Sequence, residues 1–196
     1  MPRRSGTERQ EARRARLESH AAETDPAIVL NAAARFLEAR SRSVDEVRRH
    51  LAMAGYPAAL VAAAIARLME LGMLDDRAFA LAWAESRDRA RPRGATALRR
   101  ELGLKGIDRG IVTEVLAERN EAALAQDSGE ESGVAGADEV AAERLLAKSR
   151  ARLMRVADLR ARRQRAYALL ARNGFDPAVC REVSARFAAA EPVPED

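Results

Sequence analysis

The chain has 196 residues, of which 47% are hydrophobic and 33% charged but only 4% aromatic, enough for one or two ordinary cores or a short array of smaller ones. With one cysteine and two histidines there is no internal disulfide and no Cys/His set at metal-ligand spacing, and no window holds the roughly 18 apolar residues of a membrane span. Of the 34 basic residues only Lys105 and Lys148 are lysines; the net charge of +4 is therefore carried by arginine, whose planar fork suits carboxylate and phosphate alike, and it permits an anionic partner without demanding one.

Ala, Leu, Arg and Glu dominate and β-branched runs are absent, which predicts an all-α protein. The opening "MPRRSGTERQEARRARLESH" has basic residues but no apolar core behind them; it is no secretory signal, and residues 1–24 are expected to form a flexible basic leader. The fold is expected to begin at "DPAIVLNAAARFLEAR", where Asp25 caps a helix, Pro26 takes its first position, and Ile28, Ala32, Phe36 and Leu37 form a stripe. In "SRSVDEVRRHLAMAGY", Ser43 and Glu46 have capping-box spacing, Val44, Val47, Leu51 and Ala54 form the apolar face, and Gly55 ends the helix.

Pro57 opens a third helix with Leu60, Ala64, Ile65, Leu68 and Leu71 inward, closed by Gly72. A fourth follows Asp75 and Asp76, carries Phe79 and Trp83 on one face, and stops at "RPRG", where Pro92 removes a donor. A short fifth helix covers about 94–103, and a sixth after "KGID" runs through Ile111, Val112, Val115 and Leu116. Residues 124–137 are Gly-, Ser- and acid-rich and read as a linker, helical patterns resume to about 188, and 191–196 form a tail.

Three segments superimpose: "HLAMAGYPAALVAAAI", "ELGLKGIDRGIVTEVL" and "LLARNGFDPAVCREVS". Each has Leu four positions before a glycine (Leu51, Leu102, Leu170 before Gly55, Gly106, Gly174) and a large apolar residue just after it (Tyr56, Ile107, Phe175). Apolar residues follow at five and nine positions beyond: Leu60 and Ala64, Ile111 and Val115, Val179 and Val183. One helix–glycine–plug–helix unit thus occurs three times. With a further helix ahead of each, three tandem three-helix repeats are expected at 25–72, 73–123 and 138–190, stacked into an elongated curved array.

Candidate chemistry is sparse. Asp75 and Asp76 suit the positive end of a helix better than a metal or acid–base pair, since no His or third carboxylate accompanies them. Trp83 reads as a packing residue, Cys180 as a small buried apolar one, and His50 as a surface residue without a partner. No glycine-rich phosphate loop occurs, so no enzyme activity, cofactor or metal is expected. What remains is arginine. Arg87, Arg89, Arg91, Arg93, Arg99 and Arg100 surround the "RPRG" corner, and Arg152, Arg155, Arg160, Arg162, Arg163 and Arg165 flank the start of the third repeat's second helix. These two groups could bind phosphates or an acidic protein surface.

The segments "FLEARSRSVDEVRRHLAMAGY", "LMELGMLDDRAFALAWAESR" and "RPRGATALRRELGLKGID" resemble the RecX regulatory protein family over about residues 27–188, the third repeat least. The Arg-rich leader and the acidic linker depart from that likeness. The resemblance implies tandem three-helix repeats, no catalysis, and binding to the RecA recombinase so as to restrain its filament on single-stranded DNA. A cytoplasmic monomer is expected, with partner-binding arginines among Arg87, Arg91, Arg93, Arg99, Arg100, Arg152, Arg155, Arg160 and Arg163. The alternative is a helical-repeat or helix-turn-helix protein that binds single- or double-stranded DNA directly.

Overall fold

The computed structural model describes residues 6–126 and 136–190. The described residues form helices and no strand: α1 (Gly6–Ala21), α2 (Pro26–Glu38), α3 (Val44–Met53), α4 (Ala58–Glu70), α5 (Asp76–Ala90), α6 (Ala95–Leu104), α7 (Arg109–Gln126), α8 (Ala137–Lys148), α9 (Arg150–Met154), α10 (Leu159–Arg172) and α11 (Pro177–Ala189). They divide into two compact units. The first runs to Phe79 and includes Lys105–Ile107; the second comprises Ala80–Leu104 and the described residues from Asp108 onward.

In the first unit α2, α3 and α4 pack pairwise around Val29, Ala33, Val47, Leu51, Val61, Ala64, Ile65, Leu68 and Leu74. Ser43 and Glu46 form the capping box their spacing predicts. The stripe on α2 is turned by one residue from expectation: Val29 and Ala33 are fully buried, while Ile28 is 45% exposed. On α4 the inward residue is Val61, and Leu71, lying at the helix's C-cap, is exposed. In both helices several consecutive residues are apolar, so periodicity alone fixes the face only to within one position.

Residues Gly6–Ala21, expected as a flexible leader, are helical. Their composition is rich in good helix formers, and an Arg14–Glu18 pair at 2.9 Å spans one turn. Residues 10–16 are exposed; only Leu17 and His20 are partly covered. The helix is therefore attached through its last turn.

The second unit holds α6 to α11 and α5 from Ala80. Its third-repeat core gathers Ala141, Ala142, Leu146, Leu153, Ala166, Leu170, Phe175, Cys180 and Val183. That repeat has four helices rather than three, because the five-residue α9 precedes α10. Of the linker expected at 124–137, residues up to Gln126 finish α7 and Ala137 begins α8; 127–135 lie outside the described residues, as do 1–5 and the 191–196 tail.

The three repeated glycines adopt the conformation that the repeat demands. Gly55, Gly106 and Gly174 have φ of 96°, 77° and 79°. The amides of Tyr56 and Phe175 reach back to the carbonyls of Leu51 and Leu170 at 3.3 and 3.4 Å, the closing bond of a Schellman turn. Leu51, Leu102 and Leu170 are fully buried, and Ile107 and Phe175 nearly so. Each such leucine contributes about 2–3 kcal/mol of transfer free energy.

A fourth left-handed glycine supplies a control. A Cβ on Gly72 would meet nothing, whereas one on Gly174 would lie 2.6 Å from the backbone nitrogen of Ala97. Gly72→Ala should cost about 1 kcal/mol of backbone strain. Gly174→Ala should cost roughly 2–4 kcal/mol because overpacking is added; equal urea midpoints for the two variants would show that Gly174 is no close-contact site.

Candidate partner-binding surface

The start of α3 is enclosed by polar groups from distant sequence. The Val44 amide donates to Asp76 Oδ1 at 2.9 Å, and the buried Ser43 hydroxyl donates to the Lys105 carbonyl at 2.6 Å. Glu46 accepts from Lys105 Nζ at 2.7 Å and Arg40 Nη2 at 3.0 Å. Burial alone would raise the Glu46 carboxyl, but Arg40, Lys105 and the Ser43 amide outweigh it and bring its pKa down to about 2. The two aspartates share less of a role than their adjacency predicts. Asp75 caps its own helix through the amides of Arg77 and Ala78, whereas Asp76 caps α3. Burial, with Asp45 and Asp75 nearby, pushes the Asp76 carboxyl up despite its bond to Val44.

The second unit repeats this arrangement around the start of α6. The Ala95 amide donates to both oxygens of Asp138, at 3.1 and 2.9 Å, and the Gly94 amide donates to the Asn173 carbonyl at 3.1 Å. Arg119 holds the aspartate in place. It donates to Asp138 at 2.7 Å and forks onto Asp88 at 2.8 and 2.9 Å. Its side chain is only 10% exposed; desolvation disfavours its charge, and the two aspartates more than restore it. Sequence reading missed Arg119, Asp138 and the second role of Asp76. No local pattern separates Asp76 from Asp75, because Phe79 and Trp83 follow Asp75 at the spacing at which Ala80 and Ala84 follow Asp76.

The arginines at the "RPRG" corner split into two kinds. Arg87 donates to Glu101 at 2.6 Å and stacks over the Trp83 ring, whose indole N–H donates to the same carboxylate. Arg93 lies 3.4 Å from Glu101 and donates to the Asn173 side chain. These two hold α5, α6 and α10 together. Arg91, Arg99 and Arg100 are exposed and make no ion pair among the described residues.

The second group splits likewise. Arg162 is buried, donating to the carbonyls of Val156 at 3.0 Å and Ala188 at 3.4 Å. Arg152, Arg155, Arg160 and Arg163 are exposed, with no carboxylate among the described residues. The first turn of α10 contains no acid. The Asp158 carboxylate caps that end through the Ala161 amide at 2.6 Å, and the arginines around it outnumber this single acid. Arg93 meets the C-terminal cap of α10 and Arg160 its first turn, which separates the two groups by about 20 Å along that helix.

Cys180 is buried, its thiol pushed up by burial and Asp176 and donating to the Phe175 carbonyl. His50, expected without a partner, stacks on Phe36 at 3.8 Å, and burial lowers its pKa. A cavity of about 450 Å³ among α5, α7 and α8 has an alanine-rich wall, and its Asp88 and Arg119 are already engaged with each other. Among the described residues no group of His, Cys, Asp and Glu could hold a metal, and no helix is long and apolar enough to cross a membrane.

The ionic contacts have measurable consequences. Because the Glu46 pKa is depressed in the folded state, its contribution is complete above about pH 4.5 and is lost as pH falls toward 2. Glu46→Gln should therefore lower stability by roughly 2–3 kcal/mol at pH 7 and by almost nothing at pH 2; parallel pH–stability curves would contradict the pairing. Arg119→Met should cost roughly 3 kcal/mol, since it strands Asp88 and Asp138, and Asp88→Asn in the same chain should recover part of it.

The architecture matches known proteins. Residues 30–68 match the family model described as RecX, first three-helix domain, and 75–116 that for the second three-helix domain. The chain is 35% identical over 159 residues to the regulatory protein RecX of Mycobacterium avium strain 104, covering 80% of this chain and 83% of that one. A RecX of Mycobacterium ulcerans strain Agy99 is 35% identical over 158 residues with the same coverage. The crystal structure of RecX from Lactobacillus salivarius shares the fold, with a TM-score of 0.66 at 18% identity over 83% of this chain and 96% of that one. On these grounds, and on the paired glycine turns that both matched domains contain, the chain belongs to the RecX regulatory protein family.

Proposed function

We propose that this protein binds the filament of the RecA recombinase on single-stranded DNA and restrains its recombinase, ATPase and co-protease activities, without catalysing a reaction itself. The observation that carries the reading is the exposure, in the two clusters, of Arg91, Arg99, Arg100, Arg152, Arg155, Arg160, Arg163 and Arg165, none of them paired with a carboxylate among the described residues. It is supported by membership of a family of regulatory proteins. Unpaired arginines on helices and at their ends suit the acidic side chains of a protein assembly, where each fork meets a carboxylate. Arg87 and Arg93, which sequence places with them, belong to the scaffold and contribute by holding α6 in place.

The test is RecA ATPase on single-stranded DNA with this protein added below stoichiometry. Inhibition is expected. The triple variant Arg91→Glu, Arg99→Glu, Arg100→Glu should weaken it about tenfold or more while moving the thermal midpoint little, because those side chains hold nothing in the fold. Arg93→Glu should instead lower the midpoint. Absence of both inhibition and RecA binding would sink the proposal, and tight, steeply salt-dependent binding to DNA alone would favour direct nucleic-acid recognition.

A further inference from the structure

The carbonyl just before each repeated glycine accepts a hydrogen bond from an earlier segment. The Ser43 hydroxyl donates to the carbonyl of Lys105, before Gly106, at 2.6 Å, and the Gly94 amide to that of Asn173, before Gly174, at 3.1 Å. In both cases the donor residue caps the second helix of the preceding repeat, and the first turn of that helix lies over the glycine: Asp45 on Gly106, Ala97 on Gly174. In both, too, the first amide of that helix, Val44 or Ala95, meets an aspartate from the start of the following repeat, Asp76 or Asp138.

The first repeat has the same carbonyl and glycine as its receiving surface, Ala54 and Gly55, while its Asp25 caps its own helix through the Ala27 amide at 2.8 Å. No repeat precedes it among the described residues, and α1 lies there instead. His20 Nδ1 donates to the Ala54 carbonyl at 2.7 Å, the Leu17 backbone and side chain lie over Gly55, and the His20 ring stacks on Tyr56 at 4.2 Å. The His20 bond reproduces those of Ser43 and Gly94. At the other end of the series, the start of the last repeat's second helix, Asp158 and Leu159, is left over: Leu159 is 60% exposed and both residues are uncovered.

We infer that α1 is a stopper: it fills the receiving surface of the first repeat and so prevents the uncovered Asp158–Leu159 corner of a second copy of this chain from docking there. Both halves of that contact are seen, twice over, inside the chain. Such a contact is head-to-tail, so nothing closes it, and the product would grow with concentration. The helix is polar and its residues 10–16 are exposed, which suits a removable cover. The inference stands apart from the RecA reading, since it needs no partner protein.

The experiment is sedimentation velocity on the full chain and on the full-chain double variant Leu17→Glu, His20→Ala, with trypsin cleavage at Arg13, Arg14 and Arg16 reporting release of α1. The parent should sediment as one concentration-independent species. The variant should be cut about tenfold faster and should grow in mass as concentration rises. Adding Leu159→Glu to the variant should return it to a single small species while leaving α1 released. The inference is overturned if the variant is cut no faster than the parent, if it stays one species with α1 released, if Leu159→Glu fails to reverse its growth, or if the parent itself grows with concentration. Unchanged far-ultraviolet helicity outside the α1 contribution separates these outcomes from unfolding.

Discussion

A glycine in the left-handed region does two things at once at the end of each second helix. It turns the chain so that the following apolar residue plugs the core, and it removes the Cβ that would otherwise hold off a neighbour. The carbonyl before it, left without an intrahelical partner, is thereby opened to a donor from elsewhere. In this protein every such carbonyl is answered: by Ser43, by Gly94 and by His20. The orphaned groups of helix ends, usually a liability, are here the means by which segments are joined.

The complementary orphan is the first amide of a helix, and it is answered by carboxylates. Asp76 and Asp138 each serve a helix other than their own. The cost of bringing a carboxylate into these positions is met differently in the two units. Asp76 has no cation at hydrogen-bond distance among the described residues, and burial, with Asp45 and Asp75 beside it, pushes its pKa upward. Asp138 instead has Arg119, which in turn is anchored by Asp88. The same geometry is therefore reached once through a backbone bond alone and once through a paired network, and the second should be the more sensitive to loss of a single charge.

This division explains what could be read from the sequence. Gly55, Gly106 and Gly174, their preceding leucines and following plugs were legible because one backbone conformation and one buried position admit few residue types. The Ser43–Glu46 capping box was legible because its partners are three residues apart. The trans caps were not: nothing local distinguishes Asp76 from Asp75, and the amide it serves lies at Val44. The docking of α1 is illegible for a related reason, since a helix that meets Gly55 and Ala54 through Leu17 and His20 carries no apolar stripe. For the arginines, residue type predicted the clusters, but whether each was spoken for depended on where Glu101, Asn173 and Ala188 fell in space.

Sorting the arginines in that way also links the two proposals. Arg155 and Arg160 flank the Asp158–Leu159 corner, and Arg160 and Arg163 sit in the opening turns of α10, where they outnumber the one capping carboxylate, Asp158. A second copy docked on that corner would cover these side chains, so self-association and recognition of an acidic partner would compete for one surface. Holding α1 over Gly55 leaves no receiving surface for the corner within a population of identical chains. The arginines then stay open to whatever brings carboxylates or phosphates to them. A polar helix that contributes little to the core is in this way tied to the proposed binding surface at the far end of the sequence.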